Sequence, residues 1–297
     1  MNMEILSAEI KTNNSYKFLF SKPVQQFFVG FSRCVIQYPS PDHHVKEITI
    51  DLTNSNKFQN EVEVKPKLIL SDTSNHTESY YSFITVVVMA IVEDGNPNVY
   101  MRNSVKINVA YDLPAENIKF IKSSLTLSFV QYPASDHHVY KYSSNIKPVL
   151  ESSSFSLKGQ SLISDLGGNS GKGKVFGNTL IYCGDDQKII WADFDSRNIG
   201  NSGTICFGEF SEGFQADDYQ LACFINGYKL SYTGPVDHHL LKFDIAAELS
   251  DNKLILNDGK IYAKLDLKSF LIDNGKNQSD IPHNYIQGFV IAFNNKS

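Results

Sequence analysis

Tyr38-Pro39-Ser40-Pro41-Asp42-His43-His44-Val45 returns twice along the chain. The copies are Tyr132-Pro133-Ala134-Ser135-Asp136-His137-His138-Val139 and Tyr232-Thr233-Gly234-Pro235-Val236-Asp237-His238-His239-Leu240, and together they hold six of the eight histidines. Their Asp residues lie 94 and 101 positions apart, about the length of a small domain. A phrase recurring at that period marks a tandem array of one unit. Outward from the phrase, each copy runs through the same succession. An apolar run ends at the tyrosine (residues 27–38, 121–132 and 221–232) and is followed by a proline-bearing turn. The Asp-His-His phrase is then expected to open a second strand. In the third copy His239, Leu241, Phe243, Ile245, Ala247 and Leu249 alternate with His238, Lys242, Asp244 and Glu248. Period two is the mark of a half-buried antiparallel strand.

Further strands are expected over 62–70, 155–163 and 260–270, with closing apolar strands over 84–92, 175–182 and 286–293. No stretch carries a capped 3.6-residue period, so no long helix is expected. Short strands between turn-forming residues predict an all-β chain of three tandem antiparallel β-sandwich modules with little helix. The modules span 1–95, 96–186 and 187–297, the last with a longer acidic lead-in. The linkers at 94–98 and 184–186 are short, so the modules should pack on one another.

Composition narrows the function classes. The 297 residues are 42% hydrophobic and 20% charged with a net charge of −5, an ordinary globular balance and a poor match to a nucleic-acid backbone. Residues 185–218 hold eight acids against Lys188 and Arg197, a net of −6, read first as a solvated face. The start shows no Sec-type signal, and the longest apolar run, 83–92, is half a membrane span. The expectation is a cytoplasmic protein or one exported by another route. Cys34, Cys183, Cys206 and Cys223 form no C-x-x-C pair and read as reduced and buried, with one disulfide left open.

The Asp-His-His phrase supports three readings. In the first, alternation puts Asp and the second His on the core face, so Asp42, His44, Asp136, His138, Asp237 and His239 form structural buttresses with Tyr38, Tyr132 and Tyr232. Replacing His44, His138 or His239 with Ala should then cost about 1–3 kcal/mol. In the second, His43, His137 and His238 point outward to a ligand or partner. The third is a metal site. Neighbouring strand residues diverge, so a site needs the outward His43, His137 and His238 to converge about a pseudo-threefold, or ligands such as His76 and His283. No cofactor is expected, and the metal question stays open.

Other chemistry is thin. Gly168-Asn169-Ser170-Gly171-Lys172-Gly173-Lys174-Val175 fits G-x-x-x-x-G-K, but Val175 stands where a magnesium-binding hydroxyl is needed and a strand follows, so a hairpin turn is expected. Asp193 and Asp195 share a strand face, a weak carboxylate pair for a glycosidase. Phe20-Ser21-Lys22-Pro23 with Phe28-Val29-Gly30-Phe31 and the 84–92 strand resembles an H-type lectin module. Phe207-Gly208-Glu209-Phe210 with Phe289-Val290-Ile291-Ala292 repeats the likeness in the third copy. Val88 and Val290 replace the family's tryptophan, and Asp-His-His is not part of its pattern. The resemblance implies a six-stranded sandwich, oligomerisation and sugar binding, with no sugar-binding residue carried over. The expectation is a non-enzymatic interaction or assembly protein, a subunit of a multi-subunit, surface or secreted particle that meets protein partners or itself. The alternatives are a multivalent lectin binding glycans and a glycoside hydrolase.

Overall fold

The computed structural model describes residues 2–93, 98–184, 188–210, 213–279 and 283–294. The proposed linker residues 94–97 and 185–186 lie outside them. The first copy holds β1 (Met3–Lys11), β2 (Tyr16–Leu19), β3 (Val24–Gln37), β4 (Glu47–Asp51), β5 (Ser55–Phe58), β6 (Glu61–Val64), β7 (Lys67–Ser71) and β8 (Phe83–Val92). The second holds β9 (Val99–Lys106), β10 (Tyr111–Asp112), β11 (Phe120–Gln131), β12 (Lys141–Leu150), β13 (Ser154–Ser164) and β14 (Ser170–Tyr182). The third holds β15 (Ile189–Asp195), β16 (Ser202–Glu209), β17 (Tyr219–Ser231), β18 (Lys242–Leu249), β19 (Ile255–Asn257), β20 (Lys260–Ile272) and β21 (Tyr285–Asn294). The one α-helix described, α1 (Ser196–Ile199), is a single turn capped by the Asp195 side chain. The chain is all-β, and β3, β8, β11, β13, β14, β17, β20 and β21 fall on the apolar runs, whereas β1, β9, β15 and β16 lie in stretches where those runs predict no strand. Lys65 and Pro66 split the expected 62–70 strand into β6 and β7.

Each copy contributes one antiparallel triplet: β1-β8-β3, β9-β14-β11 and β15-β21-β17. No triplet stays within its copy. β3 continues into β18-β20 of the third copy, β11 into β4-β7 of the first and β17 into β12-β13 of the second. One edge of each triplet, along β3, β11 or β17, is thereby paired by another copy, which removes a row of open backbone donors and acceptors there. Among the described residues, β1, β9 and β15 each pair on one side only.

The three copies meet along a pseudo-threefold axis, and the interior there is graded in volume. Register places Gly30, Ser124 and Phe224 in equivalent positions of β3, β11 and β17. A Cβ on Gly30 would lie 2.6 Å from Ser124 Oγ and 2.7 Å from Phe224 Cδ1. One large ring therefore fills a seat that three rings could not share. The next equivalent layer, Cys34, Ser128 and Tyr228, repeats the scheme. Tyr228 O–H donates to Tyr142 Oη at 2.6 Å, and Ser128 Oγ lies 2.9 Å and 3.0 Å from the two phenol oxygens. Both tyrosines are fully buried, so this closed set satisfies hydroxyls that burial would otherwise penalise.

The glycine loop is a turn, as expected. Ser164 pairs with Ser170 and Leu162 with Lys172, making 165–169 the tip of the β13–β14 hairpin. All four cysteines are free. Cys34 and Cys223 are buried, but Cys206 is exposed, which corrects the expectation for that residue. It sits beside the bulge at Gly208 on β16, the end strand of its sheet.

Candidate functional site

The Asp-His-His phrases do not open strands. They are connectors ahead of β4, β12 and β18, and each joins its neighbours through single bridges: His43 to Leu240, Val45 to His137 and Val139 to His238. The ring of bonds closes on itself. Val45 N donates to His137 O at 2.8 Å, Val139 N to His238 O at 2.8 Å and Leu240 N to His43 O at 2.9 Å. Tyr38, Tyr132 and Tyr232 also each donate a backbone N–H to another copy, reaching the carbonyls of Leu241, Lys46 and Tyr140.

A bend at Lys46, Tyr140 and Leu241 follows each phrase. It shifts the alternation by one, so counting back from β18 assigns the two histidines to the wrong sides. The expectation that the second histidine is the more buried is reversed in the third copy, where the His238 side chain is 15% exposed and that of His239 is 40%. In the first and second copies both members are half-buried.

The first histidines carry the buttress. Their rings pack against the buried tyrosines, edge-on for Tyr38–His43 at 4.9 Å, tilted for Tyr132–His137 at 4.8 Å and stacked for Tyr232–His238 at 4.1 Å. Their Nδ1 atoms face a carboxylate absent from the sequence reading: Asp72 at 3.6 Å, Asp165 at 3.4 Å and Asp273 at 2.8 Å. Tyr38 and Tyr132 donate their O–H groups to the carbonyls of His44 and His138 at 3.0 Å. The Tyr232 hydroxyl is buried without a partner.

Asp72, Asp165 and Asp273 each open a tight turn closed four residues later. Their side chains accept the backbone N–H of His76, Asn169 and Asn277 at 2.8–2.9 Å. The Asn169 and Asn277 amides donate to the same carboxylates, and His76 Nδ1 takes their place in the first copy at 2.5 Å. The missed signal was Asp-x-x-x-Asn/His, 30, 29 and 36 residues beyond the first Asp of each phrase. Those first Asp residues clamp the turns of other copies. Asp42 accepts from Asn274 N at 2.9 Å, Asp136 from Thr73 N at 3.2 Å and Asp237 from Leu166 N at 2.7 Å. Burial pushes the Asp72 and Asp273 carboxyls up, but the hydrogen bonds of their turns outweigh it and hold both below the ordinary value.

The second histidines converge on the axis. The rings of His44, His138 and His239 lie 4.4, 4.5 and 4.7 Å apart, centre to centre. One ring nitrogen from each lies within 4.8 Å of the others. Burial, then the two neighbouring imidazoles, hold the His138 imidazolium below its ordinary value. The metal reading expects the outward His43, His137 and His238 to converge about a pseudo-threefold. The structure brings together the second histidines instead, and the first lie apart against their tyrosines. His43 and His76 stack at 3.8 Å over Asp72 as a second His/carboxylate group. His283 is exposed and belongs to neither group.

No known family or structure matches. Neither family models, curated proteins nor solved structures yield a significant similarity to this chain, so function has to be argued from the site and its surroundings.

Away from the axis, a cleft of about 480 Å³ opens between the third and first copies beside Ser32, Cys223 and Glu248. A second, of about 500 Å³, lies between the second and third copies beside Lys122, Asp193, Asp195, Asn226 and Gln287. Lys122 Nζ donates to both Asp193 oxygens at 2.6 Å. Asp195 caps α1 and accepts from Arg197 and from Gln287 Nε2.

The second and third copies supply a control for His76. Asn does its turn-closing work at 169 and 277, so His76→Asn should leave stability within about 0.5 kcal/mol of the parent. Urea unfolding checks this. A loss above about 1.5 kcal/mol would mean that His76 does more than close a turn.

Proposed function

We propose that this chain is a non-catalytic interaction and assembly protein, a three-fold binding scaffold made from one polypeptide. The observation that carries it is the closed ring of cross-copy bridges and shared sheets, which fixes three like copies in one rigid relation. Repetition of this kind favours multivalent contact over a single reaction site. The first copy adds a small sheet, β2-β6-β5, on which Leu19 and Phe58 both pair with Glu61. Leu19 is 63% exposed and Phe58 71%, an apolar pair suited to a protein contact. Engagement of Asp193 by Lys122 and of Asp195 by Arg197 and Gln287 supports a non-hydrolytic reading over a glycosidase.

A multivalent lectin is the second reading, favoured by the polar lining of the cleft between the second and third copies. Native mass measurement and a glycan array separate the two. Assembly predicts a mass above the 33.4 kDa of one chain, alone or with a purified partner, that falls back when Leu19 and Phe58 become Ser. A monomer at every concentration that binds glycans would move the assignment to the lectin reading.

A further inference from the structure

We propose that His44, His138 and His239 bind one divalent late first-row transition-metal ion, of the zinc, cobalt or nickel class, on the pseudo-threefold axis. The ligands come from three copies, and reciprocal bridges at His43–Leu240, Val45–His137 and Val139–His238 set their backbone positions. Three neutral imidazole nitrogens suit these ions and not calcium or magnesium, which take oxygen ligands. A three-histidine set with its fourth position open is an established zinc arrangement.

The structure gives the inner rings no other task. Each first histidine has a tyrosine and an aspartate, whereas no hydrogen bond from a described residue reaches the ring nitrogens of His44 or His138. A carboxylate stands beside the triad at His239. His239 Nδ1 lies 3.8 Å from Asp42 Oδ1, leaving Nε2 for an ion. Asp136 stands within electrostatic reach of His44, and Asp237 of His138. A carboxylate near a ligating imidazole is the kind of neighbour that orients metal-bound histidines and raises their basicity, and His239 has one in Asp42.

The fit requires a small contraction. Zinc–nitrogen bonds of about 2.0–2.1 Å set tetrahedral nitrogens roughly 3.3 Å apart, against a present spread of up to 4.8 Å. Side-chain rotation supplies the difference, because all three rings are only partly buried and His239 is 40% exposed. The site stands on this geometry whether or not the chain assembles with partners.

His43, Asp72 and His76 are the rival group, and the sequence offers the discriminating variant. Zn²⁺ titration by calorimetry and native mass spectrometry, with Co²⁺ absorption as a coordination probe, should give one ion per chain and a tetrahedral cobalt spectrum. His138→Ala and His239→Ala should each weaken binding tenfold or more, while His76→Asn binds as the parent does. Melting in chelator checks the fold: both alanine variants should melt with the parent when metal-free, and only the parent should gain stability from Zn²⁺. If either alanine variant unfolds, His44→Gln takes its place in the same titration. No stoichiometric ion, binding unchanged in the axial variants, or binding lost in His76→Asn would each overturn the proposal.

Discussion

Phe224→Ala lowers stability by about 3–5 kcal/mol, the cost of removing a large ring from a packed interior. The ring is wholly buried, makes edge contact with Phe28 at 4.9 Å and stacks on Phe289 at 5.3 Å. It occupies space that Gly30 and Ser124 leave empty in their own copies. Gly30→Leu should be at least as harmful, since its Cβ alone would meet Ser124 and Phe224 below 3 Å. The backbone at Gly30 is ordinary extended strand, so the whole cost is steric. Combining the two moves the volume from one copy to another around the same axis. The double variant should therefore be more stable than the sum of the single losses, by about 1–3 kcal/mol of coupling. Urea midpoints for the four proteins measure this. Simple additivity would mean that the two positions do not share one space.

Asp273→Ala should cost about 2–4 kcal/mol, because it strands three donors that now meet one charged acceptor. Asn277 N and Nδ2 donate to it at 2.8 and 2.7 Å, and His238 Nδ1 lies 2.8 Å away. The residue is buried and its carboxyl pKa sits below the ordinary 3.8, since those bonds together outweigh the burial that pushes it up. A carboxyl lowered in the fold stabilises above its unfolded pKa, and that contribution is lost as pH falls through the folded value. The parent should therefore lose stability below about pH 4, and Asp273→Ala should lose less there because it has less to lose. Histidines act in a separate window. His43 and His138 have imidazolium pKa values below 6.5, held down first by burial and then by neighbouring imidazoles. Their penalty is absent above pH 6.5 and grows as the unfolded chain takes up protons below it. Melting temperature against pH should show both declines in the parent, with only the lower one reduced in Asp273→Ala. An unchanged lower limb would exclude Asp273 as its source.

The strands were legible because period-two runs and turn residues are local signals. β3, β8, β11, β17 and β21 fall where the apolar runs predict them. The phrase was legible as a repeat but not in its orientation, because the bend at Lys46, Tyr140 and Leu241 interrupts the alternation, and in the third copy it leaves the first histidine the more buried. Sharing of sheets left no mark that a single copy could show. Cys34 pairs with Ile245 and Ile50 with Ser128, and nothing in the local alternation of β3 or β4 names its partner. Asp72, Asp165 and Asp273 escaped notice for a different reason. Their turn motif is short, and its final residue is His in one copy and Asn in two.

The β3–β18 seam joins residues 211 positions apart, as in Cys34 and Ile245. During synthesis, the edge of β3 leaves the ribosome long before the strand that covers it has been made. The nascent protein must wait through most of its length with that border open, so the final seam closes late and slowly.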